Sequence, residues 1–117
     1  MKSVIIYKGK YGATRQYAEW LGAALHLPLQ TPEELPEADI KTQDCIIMGS
    51  SVYIGKLLIR SWVKKHEAVL KSKKLILFVV CGNNNPKEQE KIIQQNIPDG
   101  LIDPSRIFFS ARTFDKK

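Results

Sequence analysis

The chain has 117 residues, 18 Lys and Arg against 12 Asp and Glu, and a formal net charge of +6. That length suits one domain, residues 1–117, with one sizeable core. With 44% hydrophobic and 26% charged residues, the composition is that of a soluble globular protein and excludes a disordered or fibrous one.

The elements follow in chain order from hydrophobic periodicity. Residues 3–7 (SVIIY) read as a first strand ending at Lys8-Gly9. They are too brief for a signal-peptide core, and no apolar run approaches the ~18 residues that cross a bilayer, so a cytoplasmic location is expected. In residues 13–25, Tyr17, Ala18, Leu21, Ala24 and Leu25 recur at helical spacing. Residues 27–30 read as a short strand whose Pro28 belongs at a sheet edge or strand start. Residues 32–41, rich in Pro and Glu, read as a loop with at most one helical turn.

Residues 44–49 (DCIIMG) form the next strand, 50–56 a loop, and 57–70 a helix with Leu58, Trp62, Val63 and His66 near one face. The run 74–80 (KLILFVV) is continuously apolar, which implies a strand buried on both faces. A polar loop follows, then a helix over 86–96 with Asn85 as its cap and Pro86 at its first position. A turn-rich connection over 97–105, a last strand over 106–110 and a polar tail over 111–117 complete the chain. Cys45 and Cys81 lie in or beside apolar runs and read as buried thiols.

Alternating strands and helices predict an α/β doubly wound fold with a parallel sheet. Ligands in such sheets bind beyond the carboxyl ends of the strands. Three loops leave those ends, starting at Lys8, Ser50 and Cys81, and all are rich in Gly, Ser, Asn or Tyr.

The first loop, Lys8-Gly9-Lys10-Tyr11-Gly12-Ala13-Thr14, joins a strand to a helix. The first amides of that helix have no intrahelical acceptor and carry the positive end of its dipole, so a phosphate there accepts several N–H bonds at once. Gly9 and Gly12 keep side chains out of the way, Thr14 adds a hydroxyl donor, and Lys8, Lys10 and Arg15 raise the local potential. There is no GxGxxG and no Walker lysine spacing, so neither a dinucleotide nor ATP is indicated. The charge of +6 suits anionic partners: a phosphate-bearing cofactor, an acidic protein or an anionic membrane surface. The lysines are scattered rather than gathered into a stripe, so nucleic acid is not expected.

Ile5-Ile6-Tyr7 followed by Gly12, Thr14, Ala18 and Leu21 match the signature spacing of the flavodoxin superfamily, which the chain resembles over most of its length. Tyr7, Lys10 to Thr14, Tyr17-Ala18, the run Gly49, Val52-Tyr53-Ile54-Gly55-Lys56, and Lys74-Leu75 with Phe78 extend the likeness. They point to the short flavodoxin-domain proteins of the menaquinone-dependent protoporphyrinogen IX dehydrogenase type. The resemblance implies a five-stranded parallel sheet of order 2-1-3-4-5 and non-covalent FMN, its phosphate held by the first loop.

It further implies that Ser50, Ser51, Val52, Tyr53 and Gly55 border the flavin ring, with Tyr53 stacked on it, and that Cys81, Gly82 and Asn83 meet its polar edge. Flavodoxins usually carry Ser or Thr where this chain has Gly9, so one hydroxyl contact to the phosphate is expected to be absent.

The function implied is that of an FMN-dependent oxidoreductase acting on a quinone, a porphyrinogen or a similar planar substrate. The alternatives are an electron carrier docking on redox partner proteins and an interaction domain that has lost FMN. Peripheral membrane contact and a homodimer are further partners in view. No Ser-His-Asp, paired-carboxylate or Cys-His arrangement is recognisable, and His26 and His66 read as structural. The family continues past its last strand with another helix. Without one, part of a sheet face is expected to expose an apolar patch.

Overall fold

A computed structural model describes residues 2–10, 12–81 and 85–110. Strand β1 (Ser3–Lys8) leads to helix α1 (Ala13–Leu25) and the two-residue strand β2 (Leu29–Gln30). Helix α2 (Glu37–Thr42) precedes β3 (Cys45–Tyr53), which turns back through β4 (Lys56–Leu57). Two short helices follow, α3 (Arg60–Lys65) and α4 (Glu67–Leu70), then β5 (Lys74–Val80), α5 (Pro86–Asn96) and β6 (Ile107–Ser110).

The sheet order is β2-β1-β3-β5-β6, with β4 paired to β3. All pairings along the main path are parallel, and only β3–β4 is antiparallel. Apart from the added β4, this is the expected 2-1-3-4-5 arrangement. The order reverses between β1 and β3, which register from Ser3↔Cys45 to Lys8↔Ser50.

Successive strand residues point to opposite faces, and here both faces are covered. Val4, Ile6, Ile46, Met48, Leu75, Leu77 and Val79 join Ile40, Trp62, Val63 and Leu70 from α2, α3 and α4 in one core. Ile5, Ile47, Phe78 and Val80 form the other with Ala18 of α1. This two-sided burial explains why β5 reads as an unbroken apolar run.

On the α1 side, Phe78 lies across Gly49 of β3 and stacks on Tyr17, with ring centroids 4.9 Å apart. A Cβ at Gly49 would fall 2.0 Å from Phe78 Cζ, so the sheet is able to hold that ring only where β3 has no side chain. At the β6 edge of the same face Phe108 is 54% exposed.

Three readings need correction. The stretch 50–53 is strand, because β3 continues past Gly49 into a hairpin with β4. The stretch 37–42 is helical, since Ile40 is fully buried and anchors α2 to the core. The single helix expected over 57–70 is instead β4, a turn and two short helices. They break at His66, whose backbone (φ −110°, ψ 19°) leaves the helical region. His66 is buried with Nδ1 3.3 Å from Glu37 Oε1, which ties the break to α2. His26 closes α1 in the left-handed conformation, its N–H donating to the Gly22 carbonyl. His66 is thus packed between elements, while the His26 side chain is exposed at the end of α1. The tail 111–117 lies outside the described residues.

Gly49→Ala should destabilise the fold by about 1–3 kcal/mol through overpacking against Phe78. A denaturant midpoint equal to that of the native chain would show that the ring has another place to go.

Candidate functional site

The end of β1 lies beside Ser50 of β3 at the point where the strand order reverses, and β5 flanks β3. Loop one is built on α1. Gly12 takes φ 89° as its N-cap, a left-handed conformation that suits glycine, and no side chain caps the helix. The first turn of α1 contains no acidic residue. Its leading amides and the positive end of its dipole thus have no carboxylate within their own turn.

Thr14 is 1% exposed, and its Oγ1 has no hydrogen-bond partner among the described residues. A Cβ at Gly9 would stand 2.6 Å from Thr14 Cβ and 2.9 Å from Oγ1. Gly9 is therefore glycine for a packing reason: a Ser or Thr there would collide with Thr14. The loop is pinned to β3 by the Lys10 N–H, which donates to Ser51 Oγ at 3.2 Å.

The charges are disposed differently from the expectation. Lys8 Nζ donates to Glu33 Oε2 at 3.0 Å, outside the loop, and this hydrogen bond holds the Glu33 carboxyl below its ordinary pKa. Arg15 pairs with Glu19 along α1 at 3.1 Å. Two of the three cations are thereby offset by carboxylates. The third, Lys10, places its ammonium 3.5 Å from the centroid of the Tyr53 ring, a cation–π contact that joins the first and second loops.

The second group stands on the β3–β4 hairpin. Tyr53 is 44% exposed and pairs with Lys56 across the hairpin. Both turn residues have positive φ, 51° at Ile54 and 74° at Gly55. This is the signature of a type I′ turn, which normally prefers Asn-Gly. A β-branched residue in the first position costs about 1–2 kcal/mol.

The serines face inward. Ser50 is fully buried, accepts from the Ile59 N–H at 3.2 Å and donates to the Ser51 carbonyl at 2.9 Å. Val52 packs against the core. Cys81 is buried, and its N–H continues the ladder to the Ser110 carbonyl. Asn85 caps α5 as expected, accepting from the Lys87 N–H at 2.9 Å. Tyr11, Gly82 and Asn83 lie outside the described residues.

Asn96 escaped the sequence reading. It is 1% exposed; its Oδ1 accepts from the Leu57 N–H at 3.1 Å, and its Nδ2 donates to the Gly55 and Ile92 carbonyls at 3.0 and 2.8 Å. One amide thus bolts the hairpin that carries Tyr53 onto α5. An Asn in the last turn of a helix ordinarily suggests a cap, and nothing local points to partners some forty residues earlier.

A bare helix N-terminus and an exposed aromatic meeting where the strand order of a doubly wound sheet reverses define a protein of the flavodoxin-like class. A model of the family described as "Flavodoxin domain" matches residues 4–110, so the chain belongs to that family. No curated protein matches it.

Similar solved structures include a flavodoxin from the domain Archaea, 19% identical with a TM-score of 0.59, covering 97% of this chain and 86% of that one. Oxidised Flavodoxin 2 from Bacillus cereus is also 19% identical, with a TM-score of 0.69 and coverage of 95% and 84%. The rubredoxin oxygen:oxidoreductase of Desulfovibrio gigas is 15% identical with a TM-score of 0.71; the match covers 97% of this chain but 31% of that one. At these identities the likeness is one of fold. Among the described residues no helix is long and apolar enough to cross a membrane.

Asn96→Ala should cost about 1–3 kcal/mol, because the buried Leu57 N–H loses its acceptor. Amide exchange at Leu57 should accelerate more than at β5; equal acceleration at both would show that Asn96 does not hold the hairpin in particular.

Proposed function

We propose that the chain binds FMN beyond the ends of β1, β3 and β5 and acts as an FMN-dependent oxidoreductase. The observation that carries this reading is the sealed Thr14 hydroxyl, unpartnered among the described residues, at the start of a helix with no side-chain cap and no acidic residue in its first turn. A phosphate is the group whose oxygens would satisfy that hydroxyl and the free amides together. The residues present therefore fit the cofactor.

In this reading the amides of Ala13 and Thr14 and the Thr14 hydroxyl hold the phosphate, and Gly9 and Gly12 admit it. Ser51 orients the loop through the Lys10 N–H. Tyr53 offers its ring to the flavin, burying a large flat apolar surface, and stacking on the face that Lys10 covers displaces the ammonium. Gly55 serves through its carbonyl, which fixes the hairpin to Asn96. Lys8 sets the loop from outside by gripping Glu33. Ser50, Val52 and Cys81 support the crevice from within, while Tyr11, Gly82 and Asn83 are assigned to it by sequence. When bound, the flavin supplies the electron transfer.

For the substrate we assign a planar quinone or porphyrinogen. Its supports are the resemblance carried by the loops at Lys10 to Thr14 and Val52 to Lys56, and the basic surroundings of Tyr53. Electron carriers of the flavodoxin type tend to be acidic there.

Calorimetric titration of the folded chain with FMN should show one binding event, and the loaded protein, its flavin first reduced with dithionite, should pass two electrons to a soluble quinone and return to oxidised flavin faster than dithionite-reduced free FMN does. A folded chain that ignores FMN overturns the proposal. Binding without quinone or porphyrinogen turnover removes the substrate assignment and leaves the cofactor. Thr14→Val should weaken FMN binding by about 1–2 kcal/mol; unchanged affinity would take its hydroxyl out of the site. Tyr53→Ala should weaken binding and raise the fluorescence of the bound flavin, whereas identical fluorescence in the two proteins would mean that no stacking occurs.

A further inference from the structure

Ile54 stands at the tip of the β3–β4 hairpin, 80% exposed, at φ 51°. Asn or Gly would adopt that conformation freely, so the turn gains nothing from an isoleucine. Behind the tip runs a groove of about 410 Å³ whose lining includes Tyr53, Lys56, Arg60 and Lys64 and no carboxylate. Lys56, Arg60 and Lys64 have no ion-pair partner among the described residues, and Arg60 Nε is buried without a hydrogen-bond acceptor. Lys10 adds a fourth cation over the Tyr53 ring. A protruding apolar side chain is thus rimmed by positive charge.

We infer that this hairpin is a membrane-contact point: Ile54 enters the interfacial layer of an anionic bilayer while Lys10, Lys56, Arg60 and Lys64 meet the headgroup phosphates. Charge complementarity sets the sign of the partner. Shape favours lipid over a folded acidic protein. A stable protein interface needs roughly 800 Å² of complementary surface on each side, whereas the exposed apolar part of this patch is Ile54 on a two-residue turn, half of Tyr53 and the partly exposed Leu58 of the groove. A fluid interface closes around such a wedge without complementary packing. Anchoring by one residue and four cations is weak and reversible, and it would bring the Tyr53 side of the molecule to the lipid surface. The inference stands apart from the flavin reading, since none of it requires FMN.

The test is co-sedimentation of the whole chain with vesicles of phosphatidylcholine mixed with phosphatidylglycerol, against vesicles of phosphatidylcholine alone. Binding should appear with the mixed vesicles only, and should fall as salt is added. Ile54→Asn removes the wedge and relaxes the turn, so partitioning should drop by about tenfold while the Tm holds or rises. Arg60→Glu with Lys64→Glu should abolish binding. No pelleting with the mixed vesicles at low salt overturns the proposal, and so does full binding by Ile54→Asn. Failure on vesicles with Ile54-dependent binding to soluble poly-glutamate would transfer the surface to an acidic protein. Self-association that Ile54→Asn abolishes, again without vesicle binding, would transfer it to a second copy of the chain.

Discussion

Parallel pairing of β1 with β3 is the constraint on which the rest of the molecule depends. Six register pairs, Ser3↔Cys45 through Lys8↔Ser50, bring together two segments far apart in the chain and set the end of β1 beside Ser50 of β3. Because the order reverses there, β1 hands over to α1 on one face while β3 runs on into its hairpin, and the two exits open toward the same crevice. The Lys10 N–H bond to Ser51 and the Lys10 contact with Tyr53 both span this gap. Burial on both faces makes the pairing firm: a slip of one residue would exchange the set around Val4, Ile6 and Met48 with the set around Ile5 and Ile47.

The electrostatics of the crevice come from backbone more than from side chains. Lys8 and Arg15 are each matched by a carboxylate, and only Lys10 of the three local cations stays within reach of both loops. What remains is the helix terminus, with no acidic residue in its first turn and a threonine hydroxyl sealed beneath it. Under the proposed reading, such a site would recognise an anion by the direction of its donors, which a folded backbone holds rigidly, and would lose little to salt compared with a cluster of exposed lysines. Lys56, Arg60 and Lys64 line a groove beside the hairpin instead, so the two proposals place a small anion and a large anionic surface on different parts of the molecule.

The elements with strong local signals were legible. Helix α1 begins and ends where its periodicity does, β5 matches its apolar run, and α5 starts at the Asn85 cap followed by Pro86. Loop one was legible for the same reason: its glycines and threonine act within seven residues of chain. The region from Ser50 to Leu70 was not. Serines are not strand formers by habit, and Ile54-Gly55 does not look like a hairpin turn because the first position holds a β-branched residue where Asn is usual. The division between α3 and α4 depends on His66 reaching Glu37, a contact between elements that no local pattern announces.

Sequence alone determined the layered α/β architecture and the glycine-led turn into an α1 with no acidic residue in its first turn, since both follow from periodicity and backbone chemistry read over a few neighbouring residues. Tertiary structure decided which groups that turn can use. Thr14 packs against Gly9 with its hydroxyl unpartnered among the described residues, Glu33 and Glu19 occupy two of the lysine and arginine charges, and Asn96 ties down the Tyr53 hairpin. The reason is physical: a side chain's bonding is settled by whichever groups lie within a few ångströms of it, and in a parallel sheet those groups arrive from strands and helices distant in the chain.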